Sequence, residues 1–220
     1  MYRFISHHKL HWTDQEFIFS VLQGTVLFIV SIIISTVANN YATLTGKNAV
    51  SDIILSNIRV FDVDFIVNYG PLFIIILILI ILILRPSAIP FTMKSLALFI
   101  IIRAIFISAT HLGQFTPQLA LPSNGFFYFI GGGNTGGLFF SGHTGVPFLL
   151  ALVFWHDKWL RALFIALSFI LGTAMLLAHL HYTIDILGAF FITPTIFYLA
   201  KKFFSRDFEL LPKNWFSEPV

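Results

Sequence analysis

Two short strings hold nearly all the polar chemistry in the C-terminal half of this chain: Ser141-Gly142-His143-Thr144 and His181-Tyr182-Thr183-Ile184-Asp185. His181 and Asp185 stand at i and i+4, a spacing that on a helix puts the carboxylate within reach of one imidazole nitrogen. Such a carboxylate fixes the tautomer and leaves the other ring nitrogen as a directed nucleophile. His143, on a separate segment, can protonate a departing alkoxide or take the proton of an incoming hydroxyl. Ser141 and the backbone N–H groups of Gly142, His143 and Thr144 fall where a helix would begin, a place that favours an anion. The set outlines a phosphoryl-transfer site.

These residues need elements that bring them together. Two apolar stretches, 146–155 and 160–178, lie between the strings and are separated by the charged turn His156-Asp157-Lys158. His143 and His181 are 38 residues apart, and at ~1.5 Å per residue that is roughly 57 Å, or two bilayer cores of ~30 Å. The chain is expected to cross a membrane and return, so both histidines finish on one side.

Composition agrees. Of 220 residues, 57% are hydrophobic and 10% charged, against about a quarter charged in a soluble domain. The expected fold is all-α, a polytopic bundle of six transmembrane helices in one membrane domain over residues 1–220. The spans expected are 17–38, 65–84, 91–110, 146–155, 160–178 and 183–203. The first is too long for a signal-peptide core and is read as a retained span. With no cysteine, disulfides, thiolate metal sites and a Cys nucleophile are excluded.

Arg103 stands inside the third span, where an ionisable residue is expensive and is read as functional, here as a guanidinium for a phosphate. His179 is a further candidate beside His181. The loop 113–137 has no charged residue and carries Gly131-Gly132-Gly133.

Charge orients the bundle. Ten basic residues fall on the side of the termini (Arg3, Lys9, Arg85, Lys94, Lys158, Arg161, Lys201, Lys202, Arg206 and Lys213), against Lys47 and Arg59 on the other. By the positive-inside rule the termini are cytoplasmic and the histidines face the periplasm, lumen or exterior. The net charge of +3 is therefore read as topology. The partners expected are lipids of the outer leaflet, and no nucleic acid.

The strings Phe140-Ser141-Gly142-His143-Thr144 and Ala178-His179-Leu180-His181-Tyr182-Thr183-Ile184-Asp185 resemble the sphingomyelin synthase family, a branch of the type 2 phosphatidic acid phosphatase superfamily. The resemblance runs over residues 103–197, taken as the catalytic core. It implies six spans, an exoplasmic site, His181 as the nucleophile that forms a phosphohistidine, Asp185 as its partner and His143 as acid and base. Arg103, Ser141, Gly142, Thr144 and His179 are expected to bind substrate. The resemblance breaks at Thr135-Gly136-Gly137, where the family has Cys-Gly-Asp. It also breaks at Met175, where the broader superfamily signature has an arginine six residues before the nucleophile.

The implied activity is transfer of a phospho-headgroup between lipid alcohols, with a lipid phosphate phosphatase as the alternative. From another class, Arg103, His179, His181 and Asp185 would line an ion path in a transporter. A metal site from His143, His179, His181 and Asp185 is set aside because His179 and His181 diverge on a helix. Neither metal nor cofactor is therefore expected.

The charge asymmetry makes a topological prediction. In this cysteine-free chain, a single Cys at position 48 is expected to react with an impermeant thiol reagent in intact cells, and one at position 158 only after permeabilisation.

Overall fold

The computed structural model describes residues 11–120 and 137–211. The glycine run Gly131–Gly133, Thr135-Gly136 and the terminal basic residues Arg3, Lys9 and Lys213 lie outside the described residues. The elements are α1 (Gln15–Thr45), α2 (Asp64–Leu84), α3 (Ile89–Ala109), α4 (Gly142–Val153), α5 (Lys158–Leu177), α6 (Thr183–Phe203) and the short α7 (Ser205–Glu209). No strand forms among the described residues; the one bridge joins Asn48 to Leu112.

Caps set several boundaries. The Asp14 carboxylate accepts from Glu16 N–H at the start of α1, and that of Asp157 accepts from Trp159 and Leu160 N–H at the start of α5. Each satisfies donors that the first helical turn leaves without partners. The charged turn between the two apolar stretches is thus also the cap of the second.

Helix α3 lies at the centre, touching α1, α4 and α6, while α2 stands at the edge against α5. The contact of α1 with α3 is close because Phe17, Gly24, Ser31 and Ala38 repeat every seven residues on the buried face of α1. Small side chains let helices approach where lipid supplies no hydrophobic drive. A Cβ on Gly24 would come within 3.3 Å of the Met93 Cβ. Most of the other α1 side chains, among them Phe19, Val26, Ile33 and Val37, are exposed to the surroundings, as a lipid-facing helix requires. The main core packs Phe91, Phe99, Phe140, Leu149, Leu150, Phe154, Phe164 and Ile196 between α3, α4, α5 and α6.

Among the described residues five helices are long and apolar enough to cross a membrane, one of them (Pro86–Ala109) comprising a 3₁₀ turn and α3; α4, which corresponds to the expected span 146–155, has 12 residues and is shorter. At ~1.5 Å per residue α4 is only about 18 Å long. Its apolar run is cut at Phe154, where the chain turns so that Asp157 can cap α5, and at the other end the helix begins only at Gly142. The Ser168 hydroxyl donates to the Thr144 carbonyl at 2.7 Å, which levels Thr144 with a point nine residues before Leu177. Thr144, in the first turn of α4, therefore lies about 13 Å beneath the end of α5.

At the opposite end of the bundle, Lys94 of α3 and Asp207 of α7 form an ion pair at 2.7 Å with side chains 5% and 7% exposed. Lys94 Nζ also donates to Ser20 Oγ of α1, and the Ser20 hydroxyl donates to Asp207. The pair fastens α7 onto α1 and α3. Removing one partner strands a buried charge, at a cost of about 3–5 kcal/mol. Asp207→Asn or Lys94→Met is expected to lower the unfolding midpoint in detergent, and the double variant Lys94→Met/Asp207→Leu to recover most of the loss.

Candidate active site

The site is built where α4 and α6 begin. Ser141 is the residue before α4, with its N–H donating to the Asp185 carbonyl at 3.1 Å. One backbone bond thus joins the two strings that lie far apart in sequence. Helix α6 starts at Thr183, and Asp185, fully buried, reaches back so that Oδ2 accepts from Tyr182 N–H at 2.9 Å. This is the returning half of a capping box.

The same oxygen meets His181 Nδ1 at 3.1 Å. His181 is not on a helix, as its spacing from Asp185 suggested. It lies in the link between α5 and α6, just ahead of the cap residue Tyr182. The partnership holds because the N3 carboxylate folds back over the helix start, whose dipole also favours it. With Nδ1–H donating to Asp185, the lone pair of His181 resides on Nε2.

His143 is the second residue of α4 and lies near His181 and Arg103. Arg103 sits six residues before the end of α3, about 9 Å beneath it. Its Nε donates to the Phe140 carbonyl at 2.7 Å and one Nη to the Gly137 carbonyl at 2.6 Å. Arg103 therefore shapes the segment entering α4, and three of its five N–H donors remain for an anion. Gly142 stands against the guanidinium, where a Cβ would lie 3.6 Å from Nε. Gly145 is needed for close packing, since a Cβ there would come within 2.5 Å of the Phe99 ring.

His179 takes a different part from the one its sequence position suggests. Helix α5 ends in a paired-bond C-cap, with His179 N–H donating to the Leu176 carbonyl and Leu180 N–H to the Met175 carbonyl. His179 occupies the left-handed position of that cap, φ 57°, where glycine is the ordinary choice. Its Nδ1–H donates to the Pro117 carbonyl at 2.9 Å, and its ring meets Phe115 edge-on. His179 and His181 thus diverge, but at a helix end, not on a helix.

At the starts of α4 and α6 the buried Ser141 Oγ, Thr144 Oγ1 and Asp185 Oδ1 meet no hydrogen-bond partner among the described residues; elsewhere in the bundle the same holds for Thr92 Oγ1, Ser95 Oγ, Asp157 Oδ2, His179 Nε2 and Thr193 Oγ1. Buried polar groups are almost always satisfied, so the three at these helix starts mark a place suited to a polar ligand. Among the described residues no three His, Asp or Glu side chains converge as metal ligands.

Two outer segments close over the site. Tyr182 OH donates to the Gly113 carbonyl at 2.8 Å and accepts from Val50 N–H at 3.3 Å. Asp52 accepts from Thr183 through both its backbone N–H and its hydroxyl, each at 2.7 Å. Burial works to raise the Asp52 carboxyl, but the hydrogen bonds from Leu55, Thr183 and Ile54 outweigh it and hold the group below the ordinary carboxylate range. Neither outer segment was recognised as part of the site from sequence, because the local turn signal at Asp52 carries no trace of a partner 131 positions away.

Residues 135–202 match the family model described as PAP2 superfamily C-terminal. The match spans both strings but not Asp52 or Arg103. It supports the type 2 phosphatidic acid phosphatase superfamily, and with it an enzyme of the lipid phosphatase or phosphotransferase kind. No curated protein and no solved structure matches the chain.

Arg103→Lys keeps the charge but cannot reproduce the planar fork that grips two carbonyls. It is expected to lower lipid-phosphoester turnover by roughly 100-fold, a loss typical of removing one charge-stabilising donor. The variant should remain folded by size-exclusion chromatography. Full turnover in Arg103→Ala would reduce the residue to an anchor.

Proposed function

We propose that this protein is an integral-membrane lipid phosphotransferase of the sphingomyelin synthase type, moving a phosphocholine or phosphoethanolamine group between lipid alcohols such as diacylglycerol and ceramide. The observation that carries the reading is the 3.1 Å contact of His181 Nδ1 with Asp185 Oδ2, which leaves Nε2 as the nucleophile beside a second histidine and a guanidinium.

In the first half-reaction His181 Nε2 attacks phosphorus and the bond to the lipid oxygen breaks. The departing alkoxide takes a proton from His143 and leaves as the first lipid alcohol. Asp185 stabilises the ring as charge develops on it. In the second half His143, now neutral, takes the proton of the acceptor hydroxyl. That oxygen attacks phosphorus, the phosphorus–nitrogen bond breaks, and the ring is restored. Arg103 and the N–H groups at the start of α4 hold the phosphoryl oxygens throughout.

Transfer is preferred to hydrolysis because the site lies about 9–13 Å beneath the ends of α3 and α5, under two outer segments that restrict water. The charge asymmetry supports cytoplasmic termini and a site on the exoplasmic face. Water as the acceptor would give the phosphatase of the same superfamily by the same first half.

The covalent step is testable on purified protein. Donor phosphatidylcholine bearing radioactive phosphorus is expected to label the wild type with acid-labile, base-stable phosphate under rapid quench. His181→Ala should abolish the label, and Asp185→Asn should slow its appearance. Ceramide or diacylglycerol added after loading should discharge it into a lipid product, whereas discharge by water alone identifies the phosphatase. Active protein that never carries the adduct and inverts a chiral phosphorus would overturn the nucleophile. Ion flux in sealed liposomes without any lipid turnover would point to the transporter.

A further inference from the structure

We propose that Asp52, in the segment between α1 and α2, is a positioning residue for the His181–Asp185 pair, a role that rests on the phosphotransfer reading above. Asp52 is almost wholly buried. Its Oδ1 accepts from Ile54 N–H at 2.8 Å and Leu55 N–H at 3.0 Å, closing a local turn. The carboxylate does not stop there. Oδ1 also accepts from the Thr183 hydroxyl and Oδ2 from Thr183 N–H, each at 2.7 Å. Four donors thus converge on one carboxylate, three of them on Oδ1.

Thr183 N–H belongs to the first residue of α6, where no intrahelical acceptor exists. The preceding N–H, that of Tyr182, goes to Asp185 Oδ2. Two carboxylates from opposite ends of the chain therefore grip consecutive N–H groups, and His181 is the next residue upstream. If Thr183 shifts, Tyr182 N–H turns away from Asp185. The oxygen it shares with His181 Nδ1 is then free to move, and the ring loses its fixed direction. Leu55, in the turn that Asp52 closes, packs with Tyr182 and Leu138, so the segment cannot slide without moving the cap residue. Charged acceptors make the stronger class of hydrogen bond, which suits this duty better than a neutral side chain. An error near 1 Å in the direction of a nucleophile costs about 100-fold in rate.

The test uses full-length protein in nanodiscs, with phosphatidylcholine as donor and ceramide as acceptor, and Asp52→Asn, Thr183→Val, Thr183→Ser and Asp62→Asn as variants. Asp52→Asn is expected to lower kcat by about 10- to 100-fold with KM within about 2-fold, the signature of a lost transition-state alignment. Thr183→Val should fall in the same direction, and the double variant should be no worse than Asp52→Asn alone, since both break one link. Thr183→Ser keeps both donors and should restore wild-type kcat. Asp62→Asn, an exposed carboxylate in the same segment, should change nothing.

A second readout needs no turnover. The proton NMR signal of His181 Nδ1–H, assigned by its loss in His181→Gln, should move in Asp52→Asn. If Asp52→Asn is folded with an unmoved His181 signal and wild-type kcat, or loses only thermal stability, the positioning role is wrong. If wild type turns over no lipid pair, the phosphotransfer reading fails by itself, and the NMR shift still decides whether Asp52 governs His181. Should Asp52→Asn fail to fold, Thr183→Val against Thr183→Ser carries the same comparison.

Discussion

Asp185 is the group on which the rest of the structure depends. One of its carboxylate oxygens holds the N–H ahead of α6 and the ring of His181 together, while its backbone carbonyl accepts the N–H that leads into α4. It is completely buried. A carboxylate in that setting is tolerated because donors, a helix start and the nearby Arg103 guanidinium compensate the water it has lost. The same arrangement that stabilises the charge thus aims the imidazole. Cap and histidine–aspartate pair are one object.

The bundle around it is arranged to keep that object below the outer ends of the helices. Helix α4 is short, and the segment before it descends to meet Arg103, whose guanidinium grips the carbonyls of Gly137 and Phe140. Glycines at 145 and 172 remove the side chains that would push α4 away from Phe99 and α5: a Cβ at Gly172 would lie 2.9 Å from the Thr144 hydroxyl. Depth has a chemical effect. Electrostatic interactions strengthen where the dielectric constant is low.

The two ends of the bundle treat charge differently. Toward α7, the Lys94–Asp207 pair with Ser20 forms a closed set in which the charges find their partners within the protein. At the site, Ser141 Oγ, Thr144 Oγ1 and Asp185 Oδ1 have none among the described residues.

The sequence by itself determined the membrane class, the all-helical architecture, the last helix at residues 183–203 and the pairing of His181 with Asp185. Apolar run length, sparse charge and a four-residue spacing are local quantities, and local quantities survive without coordinates. It also placed Ser141 at a helix start, which the structure bears out. Tertiary structure decided the rest. Hydropathy separated the stretch 146–155 from 160–178 but could not register that the helix begins at Gly142 and ends at Val153, because Ser141 and its bond to the Asp185 carbonyl are set by a distant segment. The i, i+4 spacing of His181 and Asp185 suggested one helix face, yet the contact is made from outside the helix by a carboxylate that turns back. Lys94 counted only toward the charge on the side of the termini and proved to be a buried partner of Asp207. Asp52 and Thr183 lie 131 positions apart, and only the folded chain brings them together, since a hydrogen bond between distant segments leaves no period or spacing in the sequence to be read.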